Sequence, residues 1–218
     1  MIVVKDLIKH YDNGLVRALN GVSFTVQKGE IVALVGPSGC GKTTLLSLIG
    51  ALDVPTGGEI IVEGKNIREH RPASDFRART VGFVFQLHNL IPSLTLLENV
   101  ELPMYSLPFS SRERRARAVE IISEIGLAER MDFLPTRVSG GERQRTAIAR
   151  ALINDPKVVL ADEPTGNVDT ETGGRILDIL TNLCRTMGIT MLIATHDREV
   201  AKRADRRIRI RNGVIEEI

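Results

Sequence analysis

The chain has 218 residues, enough for one domain with an inserted lobe, and 43% of them are hydrophobic, so it can bury a sizeable core. Its formal net charge is only +2, from 29 basic and 27 acidic residues, so no strong field attracts nucleic acid or an anionic bilayer. The longest apolar stretches, such as residues 31–35, fall far short of the ~18 residues that span a membrane. We therefore expect a soluble, intracellular protein with no nucleic-acid partner.

The N-terminal part is rich in predicted strands. Residues 2–9 and 22–26 alternate or run apolar, with a turn at residues 12–14 between them, and residues 59–62 form another short strand after a Pro-Thr-Gly-Gly loop. The apolar run 30–35 predicts a further, buried strand.

Directly after that buried strand, residues 36–43 read GPSGCGKT, which is a Walker A phosphate-binding loop. Its glycines let successive backbone N–H groups point inward at phosphates, and the helix that starts at Lys42 directs its positive dipole end at the same anion. Lys42 would reach the β- and γ-phosphates, and the Thr43 hydroxyl would hold Mg²⁺. We expect Lys42 to face solvent and Cys40 to be a small residue that fills a tight loop. The motif predicts a nucleoside triphosphate site.

Between residues 96 and 129 the apolar positions recur at helical spacing, with charges on the opposite side. The basic run 112–117 lies in this pattern beside Glu113 and Glu120, so a solvated helix face is a better interpretation than a nucleic-acid patch. We expect a helical lobe here. After Pro135 the chain alternates between helices (142–153 and 170–187) and strands (158–161 and 190–194), which predicts parallel strands with helical crossovers.

Two further motifs lie in this second half. Val138-Ser139-Gly140-Gly141-Glu142 opens a helix with a serine and two glycines, which would expose a hydroxyl and backbone N–H groups to an anion, although such a start is more often a simple N-cap. The strand at 158–161 ends in Asp162 and Glu163, at the edge where a parallel sheet places its ligands. This is a Walker B element. Asp162 would bind Mg²⁺, and Glu163 would orient or deprotonate the water that attacks the γ-phosphate.

Together these motifs resemble the ATP-binding cassette (ABC) family over nearly the whole chain. The order of Tyr11, GPSGCGKT, Gln86, VSGGERQR, VVLADE, Asp169 and His196 matches that family. The resemblance implies an α/β fold: a P-loop NTPase core with a mostly parallel sheet, an N-terminal antiparallel β subdomain and an inserted α-helical subdomain. The chain would be a single domain spanning residues 1–218, with the helical lobe at about 87–137.

The resemblance also implies roles for individual residues. The catalytic group comprises Lys42, Gln86, Glu163 and His196, and the Mg²⁺ ligands comprise Thr43, Gln86 and Asp162. Tyr11 looks like the aromatic residue that stacks on adenine, and the rest of the ATP site comprises Gly36, Pro37, Ser38, Gly39, Cys40, Gly41, Lys42, Thr43 and Thr44. The opposite subunit would contribute Ser139, Gly140, Gly141 and Glu142, and Asp169 would cross to that subunit. Val138, Glu142 and Val168 depart mildly from the family's usual leucine, glutamine and leucine.

The cofactors implied are ATP and Mg²⁺, and the partners are a second copy in a head-to-tail dimer and an integral membrane permease. Within the family, residues 83–92, 97–103 and 162–167 look like the lipoprotein-releasing and macrolide-exporter branch. The expected location is cytoplasmic, peripheral at the inner face of the cell membrane. Segment 86–105, with Leu90, Ile91, Leu94 and Leu97, would receive a helix of the permease, although a packed lobe interior is an equal alternative.

Three other functions remain open on the sequence. A soluble ABC-type ATPase of DNA maintenance or cell division would carry a coiled coil or zinc module, and neither a heptad run nor a cysteine cluster appears. A translation factor built of two cassettes would need a second Walker A motif. A module that uses ATP only as structural glue would not need Glu163 and His196.

Overall fold

A computed structural model describes residues 1–69 and 72–217. The strands in these ranges are β1 Ile2–Tyr11, β2 Val16–Val26, β3 Ile31–Val35, β4 Gly57–Val62, β5 Lys65–Asn66, β6 Val81–Val84, β7 Val158–Asp162, β8 Thr190–Thr195, β9 Arg206–Arg211 and β10 Val214–Glu217. The α-helices are α1 Lys42–Ile49, α2 Ala73–Thr80, α3 Leu96–Glu101, α4 Ser111–Glu124, α5 Gly140–Leu152, α6 Thr170–Thr186 and α7 Arg198–Lys202.

The N-terminal strands form a four-stranded antiparallel sheet in the order β2-β1-β4-β5. Ile2 lies opposite Val26 on one side and Val62 on the other, and all three are buried. The alternation of apolar residues therefore places one face of this sheet on the core.

The second sheet has six strands in the order β10-β9-β3-β8-β7-β6. Every neighbouring pair is parallel except β9 and β10, which are antiparallel. Since β3, β7 and β8 are adjacent and parallel, their carboxyl ends meet at one edge of the sheet, where the predicted site residues follow them. The predicted fold class is confirmed.

Helices cover both faces of the parallel sheet. Leu45 and Leu48 of α1 belong to a core that also contains Leu34, Leu192 and the buried side of the N-terminal sheet. On the opposite face, Ile176, Leu177 and Leu180 of α6 pack with Ile193 and Val159. This two-sided burial explains why β3, β7 and β8 read as continuous apolar runs.

The stretch 96–129, predicted to be a helical lobe, contains the two α-helices α3 and α4. Pro103 and Pro108 lie in the segment between α3 and α4, where they interrupt regular helix hydrogen bonding. Capping boxes start both helices, Thr95 with Glu98 and Ser110 with Glu113. Their apolar sides share one buried cluster with α5, which includes Leu96, Val100, Ala118, Ile122 and Ala149.

Other boundaries differ from the sequence expectations. Strand β2 begins at Val16 rather than at residue 22, and α5 begins at Gly140 rather than 142. The strands β9 and β10 were not predicted. Their sequence, RRIRIR followed by an Asn-Gly turn, carries a period-2 signal, since Ile208 and Ile210 are buried and alternate with the exposed Arg207, Arg209 and Arg211. No helix among the described residues is long and apolar enough to cross a membrane.

Candidate nucleotide site

The phosphate loop connects the carboxyl end of β3 to α1, as predicted. Gly41 is the N-cap residue and Lys42 the first residue of α1, so the unpaired N–H groups of the first helical turn face the loop. Pro37, Ser38, Gly39 and Thr43 are exposed, whereas Cys40, Gly41 and Lys42 are buried. The buried Cys40 fills the interior of the loop.

The Lys42 side chain is only 6% exposed, so the expectation that it faces solvent is wrong. Its Nζ donates hydrogen bonds to the carbonyl oxygens of Gly36, at 2.8 Å, and Pro37, at 3.0 Å. These two acceptors compensate for removing the ammonium from water. The predicted phosphate ligand therefore lies folded against its own loop.

Asp162 ends β7 beside this loop and makes a side-chain hydrogen bond with Thr43. Burial raises the pKa of its carboxyl, while the bond to Thr43 and the nearby Lys42 ammonium oppose that rise. A carboxylate and a hydroxyl are oxygen ligands of the kind that Mg²⁺ takes from proteins, and Mg²⁺ commonly needs only one or two of them. Within residues 1–69 and 72–217, no cluster of three or more His, Cys, Asp or Glu side chains offers a larger metal cage.

Glu163 and His196 are in direct contact. His196 Nδ1 lies 2.8 Å from Glu163 Oε1, and Glu163 N donates to the Ala194 carbonyl at 2.9 Å. Glu163 has a φ of 44°, a left-handed conformation that is uncommon for residues with a side chain. The turn after β7 therefore directs the carboxylate towards the end of β8.

Gln86 lies against the loop that follows Glu163. Asn167 Nδ2 donates to the Gln86 carbonyl oxygen at 2.7 Å. The Gln86 amide packs on Gly166, since a Cβ placed there would lie 2.8 Å from Gln86 Nε2. The structure thus brings Gln86 to the Walker B segment from the end of β6, the neighbour of β7.

Tyr11 ends β1 and is 37% exposed. Its hydroxyl donates to Asp53 Oδ2 at 2.8 Å, and Lys9 Nζ lies 4.6 Å from its ring centroid and 2.7 Å from Asp53 Oδ1. Burial and the bond to Asp53 raise the pKa of Tyr11, whose hydroxyl is also within hydrogen-bonding reach of Thr44 on α1. Lys9 and Asp53 fix the tyrosine, and neither was predicted from the sequence.

Ser139 is the N-cap of α5 in a capping box with Glu142. Its hydroxyl donates to Glu142 Oε2 at 2.7 Å, and its backbone N–H donates to the same oxygen at 2.8 Å. The hydroxyl that was expected to face an anion is therefore paired with a carboxylate.

Gly140 and Gly141 lie beside the segment around Asp169 rather than beside the phosphate loop. A Cβ at Gly140 would be 3.5 Å from the Asn167 carbonyl oxygen, and one at Gly141 would meet Thr172 at 2.6 Å. Asp169 itself caps α6, accepting from Thr172 N at 3.0 Å. Two groups of predicted residues result: one at the phosphate loop, and one formed by 139–142 with 167–169.

Comparisons with known proteins find relatives that match nearly the whole chain. The model of a family described as ABC transporter matches residues 19–166. An uncharacterised ABC transporter ATP-binding protein of Thermotoga maritima is 48% identical over 98% of this chain and 92% of its own length. The lipoprotein-releasing system ATP-binding protein LolD of Syntrophus aciditrophicus is 42% identical over 99% and 98%. The macrolide export ATP-binding/permease protein MacB of Hyphomonas neptunium is 45% identical over 99% of this chain, which spans 34% of that longer protein.

Among solved structures, the ATP-binding cassette MJ0796 as a dimer in a post-hydrolysis state with ADP and Pi is similar to this chain. The TM-score is 0.91 at 40% identity, covering 100% of this chain and 97% of the other. The family match over residues 19–166 and the near full-length relatives lead to one conclusion: this chain belongs to the ABC transporter family.

Proposed function

We propose that the chain is the ATP-hydrolysing subunit of an ABC transporter, working as a head-to-tail dimer that drives a membrane permease of the lipoprotein-release or macrolide-export type. The observation that carries this proposal is the meeting of Lys42, Thr43, Asp162, Glu163 and His196 at the carboxyl ends of β3, β7 and β8. Nothing in the comparisons favours a soluble ATPase of DNA maintenance or cell division.

The first step is nucleotide binding. Residues 36–44 surround the phosphates, and the Lys42 ammonium leaves the carbonyls of Gly36 and Pro37 to reach the more strongly charged β- and γ-phosphates. Tyr11 stacks on the adenine with its ring held by Asp53 and Lys9. Thr43, Asp162 and Gln86 would hold Mg²⁺, and the ion would neutralise charge on the phosphate oxygens.

The second step is activation of water. Glu163 accepts a proton from the attacking water, or orients it, and His196 contacts the γ-phosphate. The hydrogen bond between His196 Nδ1 and Glu163 Oε1 fixes the orientation of both groups. Gln86, at the end of β6, lies beside Gly166 in the loop that follows Glu163 and would contact the attacking water from there.

The dimer completes each site. Ser139, Gly140, Gly141 and Glu142 of one subunit face the γ-phosphate held by the other, and Asp169 crosses between subunits. The separation of these residues from the phosphate loop within one chain supports this division of labour. For Ser139 to donate to a phosphate, its hydroxyl must leave Glu142.

The permease docks beside the helical lobe, which we place at about residues 87–137. A cleft of about 380 Å³ is lined by residues of α2, β6 and the segment after α3. Leu52, which lines this cleft, is 48% exposed. Leu87 and Tyr105 lie in sequence between lining residues and are 73% and 62% exposed. By contrast, Leu97 is fully buried inside the lobe, so only part of segment 86–105 is available to a partner helix. Docking here places the subunit at the inner face of the membrane.

A detergent pull-down against the candidate permease tests this surface. Leu87→Asp and Tyr105→Asp should abolish permease capture while leaving basal ATP hydrolysis unchanged, because both residues are largely exposed and lie outside the proposed nucleotide site. Met187→Asp, at a 40% exposed position at the end of α6, is the matched control. Capture of the permease by the Leu87 and Tyr105 variants would place docking elsewhere. Failure of the wild-type chain to hydrolyse ATP would overturn the ATPase proposal itself.

A further inference from the structure

The turn between β9 and β10 touches the phosphate loop. Asn212 and Gly213 form this turn with φ values of 50° and 74°, the left-handed pair that a tight hairpin uses. Gly213 N donates a hydrogen bond to the carbonyl oxygen of Cys40 at 3.1 Å. A residue almost at the end of the chain therefore contacts the middle of the Walker A motif.

Strand β2 holds the turn from the other side. Asn20 N donates to the Gly213 carbonyl oxygen at 2.8 Å, and Asn20 Nδ2 donates to the Asn212 carbonyl oxygen at 3.4 Å. The turn is thus bonded to the N-terminal sheet and to the phosphate loop at once.

These three backbones approach each other without room for side chains. A Cβ at Gly213 would lie 2.7 Å from the Ala18 carbonyl oxygen, and a Cβ at Gly41 would lie 2.6 Å from the same oxygen. A Cβ at Gly36 would collide with the carbonyl oxygen of Ile210 in β9. The phosphate loop is therefore clamped between β2 and the β9–β10 hairpin by direct backbone contact.

We propose that Gly213 is a positioning residue of the nucleotide site, acting through the Cys40 carbonyl. The peptide between Cys40 and Gly41 is planar and trans, so a carbonyl held towards Gly213 directs the Gly41 N–H to the opposite side. That N–H is one of the loop groups that would face phosphate, so the turn sets the direction of this phosphate ligand. The inference rests on the proposed function, because it assumes that the loop binds ATP.

A pair of asparagine substitutions separates this role from ordinary turn stability. Asparagine tolerates the left-handed conformation, but its Cβ at position 213 still meets the Ala18 carbonyl. The matched control is Gly64→Asn in the β4–β5 hairpin, where Glu63 and Gly64 have φ values of 50° and 79° and nothing lies within 4 Å of the added Cβ.

We expect Gly213→Asn to raise the KM for ATP by about tenfold, with a smaller effect on kcat, and Gly64→Asn to leave KM within about twofold of wild type. Asn20→Ala removes the side-chain bond to the turn, together with a contact between Asn20 Oδ1 and His10 Nε2, but keeps the backbone bond to Gly213, so it should raise KM by less. This milder variant decides the matter if Gly213→Asn does not fold.

Equilibrium binding of a fluorescent ATP analogue gives a second readout. If Gly213→Asn binds the analogue with wild-type affinity, this inference is overturned and the proposed function stands. If Gly213→Asn does not fold, wild-type affinity in Asn20→Ala has the same consequence. A wild-type chain that binds no ATP analogue overturns both.

Discussion

Oε1 of Glu163 and Nδ1 of His196 lie 2.8 Å apart although the residues are 33 positions apart in the sequence. Glu163 follows β7 and His196 follows β8, and these strands are parallel neighbours with Asp162 opposite Ala194. The sheet itself therefore brings the proposed base and its histidine partner together.

Breaking this contact should slow hydrolysis without preventing binding. We expect His196→Ala to lower kcat by about 10²-fold or more, since it removes the orienting partner of Glu163 and a γ-phosphate contact. Steady-state ATPase rates, together with ATP affinity, check this. A variant with near wild-type kcat would remove His196 from the mechanism.

Replacement of Lys42 should affect both function and stability. Lys42→Ala removes the charge that binds phosphates and also removes the two hydrogen bonds that the ammonium donates to the Gly36 and Pro37 carbonyls. We expect loss of ATP binding and a decrease of about 1–3 kcal/mol in the free energy of unfolding. Urea denaturation followed by circular dichroism measures the second effect. A stability equal to wild type would argue against the folded-back lysine.

Tyr11 should depend on Asp53 for its position. Burial acts to raise the pKa of Asp53, but hydrogen bonds from Lys9 and Tyr11 outweigh it, and the net pKa is lowered. Asp53→Ala frees the tyrosine ring, so we expect KM for ATP to rise by about three- to tenfold while kcat changes little. Tyr11→Phe keeps the ring and loses only the hydroxyl, and should be milder. An Asp53 variant with unchanged KM would contradict this support.

Cys184 should not react with alkylating reagents in the folded chain. Burial raises the pKa of its thiol to about 12. In the unfolded chain the same thiol ionises at a lower pH. Burial of the protonated thiol therefore contributes its full stability below about pH 8.5, and this contribution is lost as the pH rises from there towards 12. Alkylation at pH 8.5 should label Cys184 only in denaturant, as mass spectrometry of peptides would detect. Rapid labelling of the native chain would show that α6 opens.

The core of the fold could be predicted because its signals are local. The continuous apolar runs of β3, β7 and β8 and the glycine-rich loop after β3 each carry their own pattern. The hairpin of β9 and β10 was missed because its exposed arginines obscure the two buried isoleucines. The prediction of a helical lobe gave no boundaries for α3 and α4, although Pro103 and Pro108 lie between them.

Predictions about the site were limited by contacts between distant residues. The phosphate loop and the Walker B strand can be recognised from residue types at a fixed spacing. Lys9 and Asp53, by contrast, contact Tyr11 only because separate segments pack together. The orientation of Lys42 likewise depends on which acceptor its ammonium finds, which no local pattern specifies. The roles assigned to these residues stay predictions until variants are measured.

The central claim is that two copies of the chain close around ATP. Glu163→Gln tests it most directly, because this variant should bind ATP but hydrolyse it at least about 10²-fold more slowly than wild type. The control is the double variant Glu163→Gln with Gly140→Asp. Within the chain, a Cβ at position 140 meets only ordinary contacts, the nearest being the Asn167 carbonyl oxygen at 3.5 Å. In the dimer, the added carboxylate would lie near the γ-phosphate held by the partner subunit. Size-exclusion chromatography with light scattering should give twice the monomer mass for Glu163→Gln with Mg-ATP, and the monomer mass without ATP or in the control. A Glu163→Gln chain that binds ATP and stays monomeric would contradict the account.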